Sequence, residues 1–103
     1  MSMRLPYIPS QITCSESHLM LSEWDPVKLH IHTWAGDEIA KINAEQLQLG
    51  SDDRICCVSP WYDNVVMFGV WCQKKDTDRV VAYKVSKTFK FCIFISWFSL
   101  KIC

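Results

Sequence analysis

The chain has 103 residues, of which half are apolar, and its 11 basic residues balance 11 acidic ones. This length suits one small domain with a modest core, and the apolar content excludes an intrinsically disordered chain. The charge balance gives no electrostatic attraction to nucleic acid or to an anionic membrane.

The first third of the sequence predicts a lead-in followed by short strands. Residues 1–10 contain Pro6 and Pro9 and no apolar run of signal-peptide length, so they predict an irregular lead-in. Residues 11–14 and 18–23 are possible strands, and Pro26 predicts a turn because it disfavours helical backbone in the residue before it. Residues 27–33 then alternate as a half-buried strand does. One face carries Val27, Leu29 and Ile31, and the other carries Lys28, His30 and His32.

Residues 38–49 have two interpretations. Residues 38–42 can form the return strand of a hairpin that turns at Gly36 and Asp37. Alternatively, Asp37 is a suitable helix N-cap, Gly50 a suitable C′ residue, and the residues between them are good helix formers. The strand prediction, with a loop or short helical turn after residue 42, gives an all-β fold. The helix would give a small α+β domain.

Residues 54–87 predict three antiparallel strands joined by two hairpins. The apolar run at residues 65–72 suits a strand buried on both faces. Asp63 and Asn64 before this run, and residues 74–78 after it, have the composition of tight turns. We expect burial of Val66, Phe68, Val70, Val81 and Tyr83, and exposure of Lys74, Lys75 and Asp76 at a hairpin tip.

The C-terminal tail, residues 88–103, has a different composition. Its apolar segment at residues 91–100 is far shorter than the roughly 20 residues that span a bilayer. It predicts a further buried strand that completes the meander begun at Arg54. The composition also resembles translated non-coding sequence, as at the end of a truncated isoform.

Residues 11–87 resemble blades of a WD40-type β-propeller. A blade has three strands separated by two turns, with a Trp or Tyr late in the third strand. The segments that match this pattern are Lys28-Leu-His-Ile-His-Thr-Trp34, Ile55-Cys-Cys-Val-Ser-Pro60, Val66-Met-Phe-Gly-Val-Trp71 and Val80-Val-Ala-Tyr83. The sequence departs from the family where Gly50-Ser51-Asp52 replaces the Gly-His pair and where Tyr83 replaces the usual Trp. The hydrogen-bonded tetrad of such blades is therefore not carried over.

A narrower set of segments is similar to the large propeller subunits of damaged-DNA-binding, polyadenylation and splicing complexes. These segments are Gln11-Ile-Thr13, Leu21-Ser-Glu-Trp-Asp-Pro26, Ile55-Cys-Cys57 and Phe68-Gly-Val-Trp71. The resemblance implies a nuclear or cytoplasmic scaffold that binds other proteins and is not an enzyme. A blade needs about 40 residues and a closed ring at least about four blades, so this chain of about two blades implies a fragment that self-associates or pairs.

The alternative is a small nucleic-acid-binding β-domain. It would stack bases on exposed aromatic side chains, namely Trp61, Tyr62, Phe68, Trp71 and Tyr83. With no basic groove indicated by the charge balance, packing of these side chains in the core is the better explanation.

The remaining reactive residue types give no defined site. His30 and His32 have a spacing that zinc sites use, but an exposed polar face explains them better. Cys56 and Cys57 lack the two-residue gap of metal and redox pairs, so they predict core or lining residues. A nucleophilic site would combine Cys56 or Cys72 with His30 or His32, but neither cysteine has a nucleophile motif around it. We therefore expect no catalytic, cofactor-binding or metal-binding residues, and six reduced cysteines.

Overall fold

The computed structural model describes residues 5–99, which form two antiparallel sheets of four strands each. The first sheet contains β1 (Gln11–Cys14), β2 (His18–Glu23), β3 (Lys28–Thr33) and β4 (Glu38–Asn43), and the second contains β5 (Asp53–Val58), β6 (Val65–Cys72), β7 (Thr77–Val85) and β8 (Phe91–Ser99). Strands that follow one another in the chain are neighbours in each sheet. The predicted all-β fold of antiparallel meanders, the type found in propeller blades, is confirmed.

The ambiguous segment forms a strand and then a single turn. β4 pairs with β3, and this pairing buries Ile42. Asn43 and Gln46 then exchange side chain-to-backbone hydrogen bonds of 2.9 and 3.0 Å, which is a capping box. The turn ends at Gln48, whose φ is 59°. The prediction of a strand followed by a short turn is confirmed, and the α+β alternative is wrong because residues 5–99 contain no helix.

The hairpins use the turn residues that the sequence predicted. Asp63 and Asn64 both have positive φ, at 52° and 63°, and Tyr62 and Val65 exchange backbone hydrogen bonds of 3.0 and 2.9 Å around them. This is the two-residue hairpin geometry whose twist matches the twist of the paired strands. The loop between β6 and β7 exposes Lys74, Lys75 and Asp76, as predicted.

One core contains apolar side chains from both sheets. Met20, Leu29, Ile31 and Ile42 come from the first sheet, and Leu47 comes from the segment between the sheets. The second sheet contributes the five side chains whose burial was predicted, Val66, Phe68, Val70, Val81 and Tyr83, all at most 1% exposed. Phe68 and Tyr83 pack with their ring centroids 5.2 Å apart. The shared core therefore holds the two sheets together.

The strand β6 is buried on one face only, which corrects the prediction of burial on both faces. Val66, Phe68 and Val70 face the core, whereas Met67 is 41% exposed on the opposite face. Gly69 on that opposite face lies so close to Cys57 Sγ that a side chain at position 69 would collide with it. The continuous apolar run therefore reflects one core face and one partly open apolar face.

The sheets are also joined at both ends of their strands. At one end, Thr13 Oγ1 donates to the Ser59 carbonyl at 2.8 Å, and the Trp61 amide donates to the Cys14 carbonyl at 3.2 Å. At the other end, Arg54 pairs with Asp25 at 3.3 Å. The first strands of the two sheets, β1 and β5, consequently lie next to each other.

The segments at the two ends of the described chain differ in structure. Residues 5–10 precede β1 without forming a strand, and β8 extends the second sheet by pairing with β7, so the strand predicted for the tail is present. The prediction that this strand is buried is wrong, since Cys92, Ile95 and Ser96 are exposed. Phe91 at the start of β8 is buried in the shared core. Residues 1–4 of the lead-in and residues 100–103 of the tail lie outside the described residues.

Residues 5–99 contain no helix that is long and apolar enough to cross a membrane.

Replacing Phe68 with alanine should lower the free energy of unfolding by about 3–5 kcal/mol, because Phe68 is fully buried and its removal leaves a cavity. Met67→Ala on the exposed face of the same strand is the matched control and should cost much less. Urea denaturation followed by tryptophan fluorescence measures both. If Phe68→Ala lowers the free energy of unfolding by less than about 1 kcal/mol, β6 does not lie at the centre of the core.

Candidate functional site

The most concentrated group of polar side chains lies on the outer face of the first sheet. Lys28, His30 and His32 point away from the core, as the alternation in β3 predicts. Yet His30 and His32 are only 3% and 4% exposed, so the expectation of an exposed polar face is wrong. The cause is Tyr7, from the lead-in segment, which lies over both rings.

His30 lies between two carboxylates. Its Nε2 is 2.6 Å from Glu23 Oε2, and its Nδ1 contacts Glu38 Oε1. Each ring nitrogen of His30 therefore has one carboxylate oxygen as its partner. Lys41 lies at the edge of this group, with its Nζ 3.9 Å from Glu38 Oε2.

His32 and Tyr7 form the second half of the cluster. His32 Nδ1 donates to the Gly36 carbonyl at 3.1 Å, since a carbonyl can only accept. In the neutral ring Nε2 then accepts from the Tyr7 hydroxyl at 2.7 Å. The Tyr7 ring also stacks on His30, with ring centroids 3.7 Å apart and an interplanar angle of 12°. We call Tyr7, Glu23, His30, His32 and Glu38 the histidine cluster.

The environment of Tyr7 keeps its hydroxyl protonated. Burial, with smaller contributions from the negative charges of Glu38 and Glu23, raises the pKa of Tyr7 from 10.0 to about 12. The hydroxyl therefore stays a hydrogen-bond donor throughout the neutral range.

The histidine cluster is a closed structural contact. Every ring nitrogen of His30 and His32 has a hydrogen-bond partner, so a metal ion would have to displace one of these contacts to bind there. No group of three or more potential metal ligands occurs within the described part of the chain. The cluster attaches residues 5–10 to the outer face of the first sheet.

The predicted cysteine sites do not assemble. Cys56 and Cys57 are both exposed, and the strand bulges between Ile55 and Cys57, so the prediction that they are core residues is wrong. Cys72 lies in the second sheet, whereas both candidate histidine partners lie on the outer face of the first. Cys14, Cys57, Cys72 and Cys92 form no disulfide, and Cys103 lies outside the described residues.

Most of the candidate base-stacking residues are core residues. Trp61, Phe68 and Tyr83 are at most 7% exposed. Trp71 is half-buried and stacks on Trp24 at 6.3 Å, and only Tyr62, at 80% exposure, is freely accessible among the five. The explanation of the aromatic residues by core packing is confirmed for the three buried rings.

A buried ion pair that the sequence did not reveal joins β5 to β7. Both carboxylate oxygens of Asp53 accept from Arg79, at 3.0 and 3.2 Å, and one also accepts from the Gly50 amide at 2.7 Å. Burial alone would raise the pKa of Asp53, but the hydrogen bonds from Arg79 and Gly50 outweigh it, and the pKa lies below its ordinary 3.8. Asp53 therefore stays ionised.

The loops form open depressions at both ends of the sheets. One, of about 490 Å³, lies between the β1–β2, β5–β6 and β7–β8 loops and is lined in part by His18, Trp61 and Phe89. Another, of about 390 Å³, lies at the opposite end and includes Lys28 and Arg54. In the first depression the Ser17 hydroxyl lies 2.8 Å from His18 Nδ1, an exposed contact between adjacent residues where β2 begins.

Comparison of the chain with protein families, curated proteins and solved structures finds no match in any of the three.

Replacing Tyr7 should weaken the attachment of residues 5–10 in two steps. Tyr7→Phe removes the hydrogen bond to His32 and should cost about 0.5–1.5 kcal/mol. Tyr7→Ala should cost more, because it also removes the ring stacked on His30. Chemical denaturation measures both. The control is Ile8→Ala, at a residue 89% exposed. If Tyr7→Ala costs no more than the control, Tyr7 does not fasten the lead-in.

Replacing Asp53 with asparagine should make the free energy of unfolding vary less with pH in the acid range. A carboxyl with a lowered folded-state pKa contributes stability above its unfolded pKa and loses that contribution as the pH falls through the folded-state value. Asp53→Asn should therefore cost about 3 kcal/mol at pH 7 and progressively less below the ordinary value of 3.8. Thermal unfolding between pH 2 and pH 7 measures this, with the exposed Asp52→Asn as the control. A pH-independent difference would contradict the ion-pair explanation.

Proposed function

We propose that the chain is a non-catalytic protein-interaction scaffold of the WD-repeat β-propeller type, and a fragment or truncated isoform of a larger subunit of a nuclear complex. The observation that carries the proposal is the succession of two four-stranded meanders that share one core. A propeller repeats this unit around a central channel.

The relative position of the sheets supports this proposal. Sheets arranged radially around a channel pack face to face and approach each other at the edge nearest the channel. Here the inner faces share the core, and the first strands β1 and β5 are adjacent. The hydrogen bonds from Thr13 and Trp61 join the sheets at this edge. The two sheets are therefore arranged as neighbouring blades would be.

An interaction role follows from what two blades leave uncovered. Two sheets bury one face each against the other, while their outer faces and edge strands face solvent. Large apolar side chains are accordingly exposed by 37–89%, at Ile8, Ile12, Trp24, Trp34, Ile39, Tyr62, Met67 and Ile95. The net charge of zero removes the repulsion that would keep protein partners, or further copies of the chain, apart.

The nucleic-acid-binding alternative has less support. Three of its five candidate stacking residues are buried, and the balanced charge does not attract a phosphate backbone. Titration with a single-stranded oligonucleotide at about 50 and 200 mM salt tests it, because phosphate contacts make affinity fall steeply over that range. Salt-sensitive binding would favour this alternative over a protein scaffold.

The scaffold proposal predicts that the isolated chain associates. Sedimentation velocity at micromolar concentrations should show the mean sedimentation coefficient rising with concentration, because the exposed apolar faces bury surface against one another. A sharp monomer at every concentration, with one cooperative thermal transition, would contradict the fragment proposal and favour a self-contained domain.

A further inference from the structure

The outer face of the second sheet has an apolar centre. On β7, Asp78, Val80, Ala82 and Lys84 point away from the core, because alternate residues of a strand occupy opposite faces. Ala82 pairs with Met67 on β6 and with Ile95 on β8, so these form one cross-strand row. The two flanking members of this row, Met67 and Ile95, are 41% and 37% exposed.

Two positions at the centre of this face project little. Cys57 Sγ fills the space above Gly69, and Ala82, in the neighbouring strand, projects only a methyl group and is 1% exposed. Two sheets that pack face to face are about 10 Å apart when such residues interdigitate with larger ones. Met67 and Ile95 are the larger side chains available for such interdigitation.

The charges on β7 are self-complementary. Asp78 is at one end of the outer face and Lys84, which is exposed, is at the other. Six residues of extended strand separate them by about 20 Å. A two-fold axis through the midpoint, at Val81, places Asp78 of one chain opposite Lys84 of the other, twice in each dimer. A two-fold interface always pairs residues reciprocally in this way.

We propose that this outer face binds a second copy of the chain, with the two β7 strands antiparallel across the interface. In this register Ala82 faces Val80 of the second copy, so Met67 and Ile95 lie beside their symmetry mates, two residues apart along the strand, and the Asp78–Lys84 pairs fix the register. The inference rests on the proposed function, since it identifies the partner of one of the faces that an incomplete propeller leaves open.

The size of the face sets the strength of the association. Four strands about 4.8 Å apart and about 27 Å long give a footprint of roughly 520 Å² per chain. Stable complexes bury about 800 Å² per partner, and smaller interfaces are weak or transient. We therefore expect a dimer that dissociates in the micromolar range.

A charge-swap experiment tests the interface directly. Asp78→Lys places two lysines opposite each other at both ends, and Lys84→Asp does the same with two aspartates. Because like charges facing each other oppose association, each single variant should raise the dimer dissociation constant about tenfold or more. The double variant restores opposite charges and should return to within about threefold of the unmodified chain. Sedimentation equilibrium of the full chain measures all three.

The control is Lys75→Asp, an equal change of charge at the exposed β6–β7 hairpin tip, which should leave dimerisation unchanged. Circular dichroism spectra confirm that the single variants are folded. Association that is insensitive to both single substitutions, or that the double variant fails to restore, would overturn the proposed interface while leaving the scaffold proposal standing. A chain that remains monomeric at every concentration would overturn both.

Discussion

The packing of Phe68 against Tyr83 in the shared core is the contact on which the structure depends. Both side chains are fully buried, and Tyr83 also donates a 2.7 Å hydrogen bond to the carbonyl of Leu47, in the segment that connects the two sheets. Burial keeps the pKa of Tyr83 well above its ordinary value, so the phenol remains a donor. One residue thus joins the second sheet, the connecting turn and the core.

This contact determines which faces of the sheets stay open. Because each strand alternates its side chains, a core between the sheets leaves one outer face on each of them. The chain treats these faces differently. The histidine cluster and the lead-in residue Tyr7 cover part of the first sheet's outer face. On the second sheet, Met67 and Ile95 remain substantially exposed. The two outer faces therefore differ in how far the chain itself covers them.

Local patterns in the sequence predicted most of the fold. The alternation in β3, the apolar run of β6 and the Asp63-Asn64 turn all act between residues close in the chain, and each element was placed correctly. The helix-forming composition of residues 38–49 predicted the local structure only in part. Up to Asn43, pairing with β3 outweighs the helix propensity of these residues, and the residues after it form one capped turn. The burial of Phe68 and Tyr83 followed from the same strand patterns.

The candidate site was predictable only in part, because it depends on contacts between distant residues. Tyr7 is 25 residues from His32, and Asp53 is 26 residues from Arg79, so no local pattern reveals either contact. The exposure of Cys56 and Cys57 results from a bulge in β5. The residue types at these positions do not indicate a bulge, so the sequence did not predict it. A strand alternation identifies the face that His30 and His32 share, but not the segment that covers it.

The central claim is that the two sheets share one core and therefore unfold together. Native-state amide hydrogen exchange tests it most directly, because amides that open only in global unfolding report one common free energy. We predict that the slowest amides of β2 and β3 and those of β6 and β7 give the same opening free energy and change together in mild denaturant. Two distinct values, one for each sheet, would contradict the shared core.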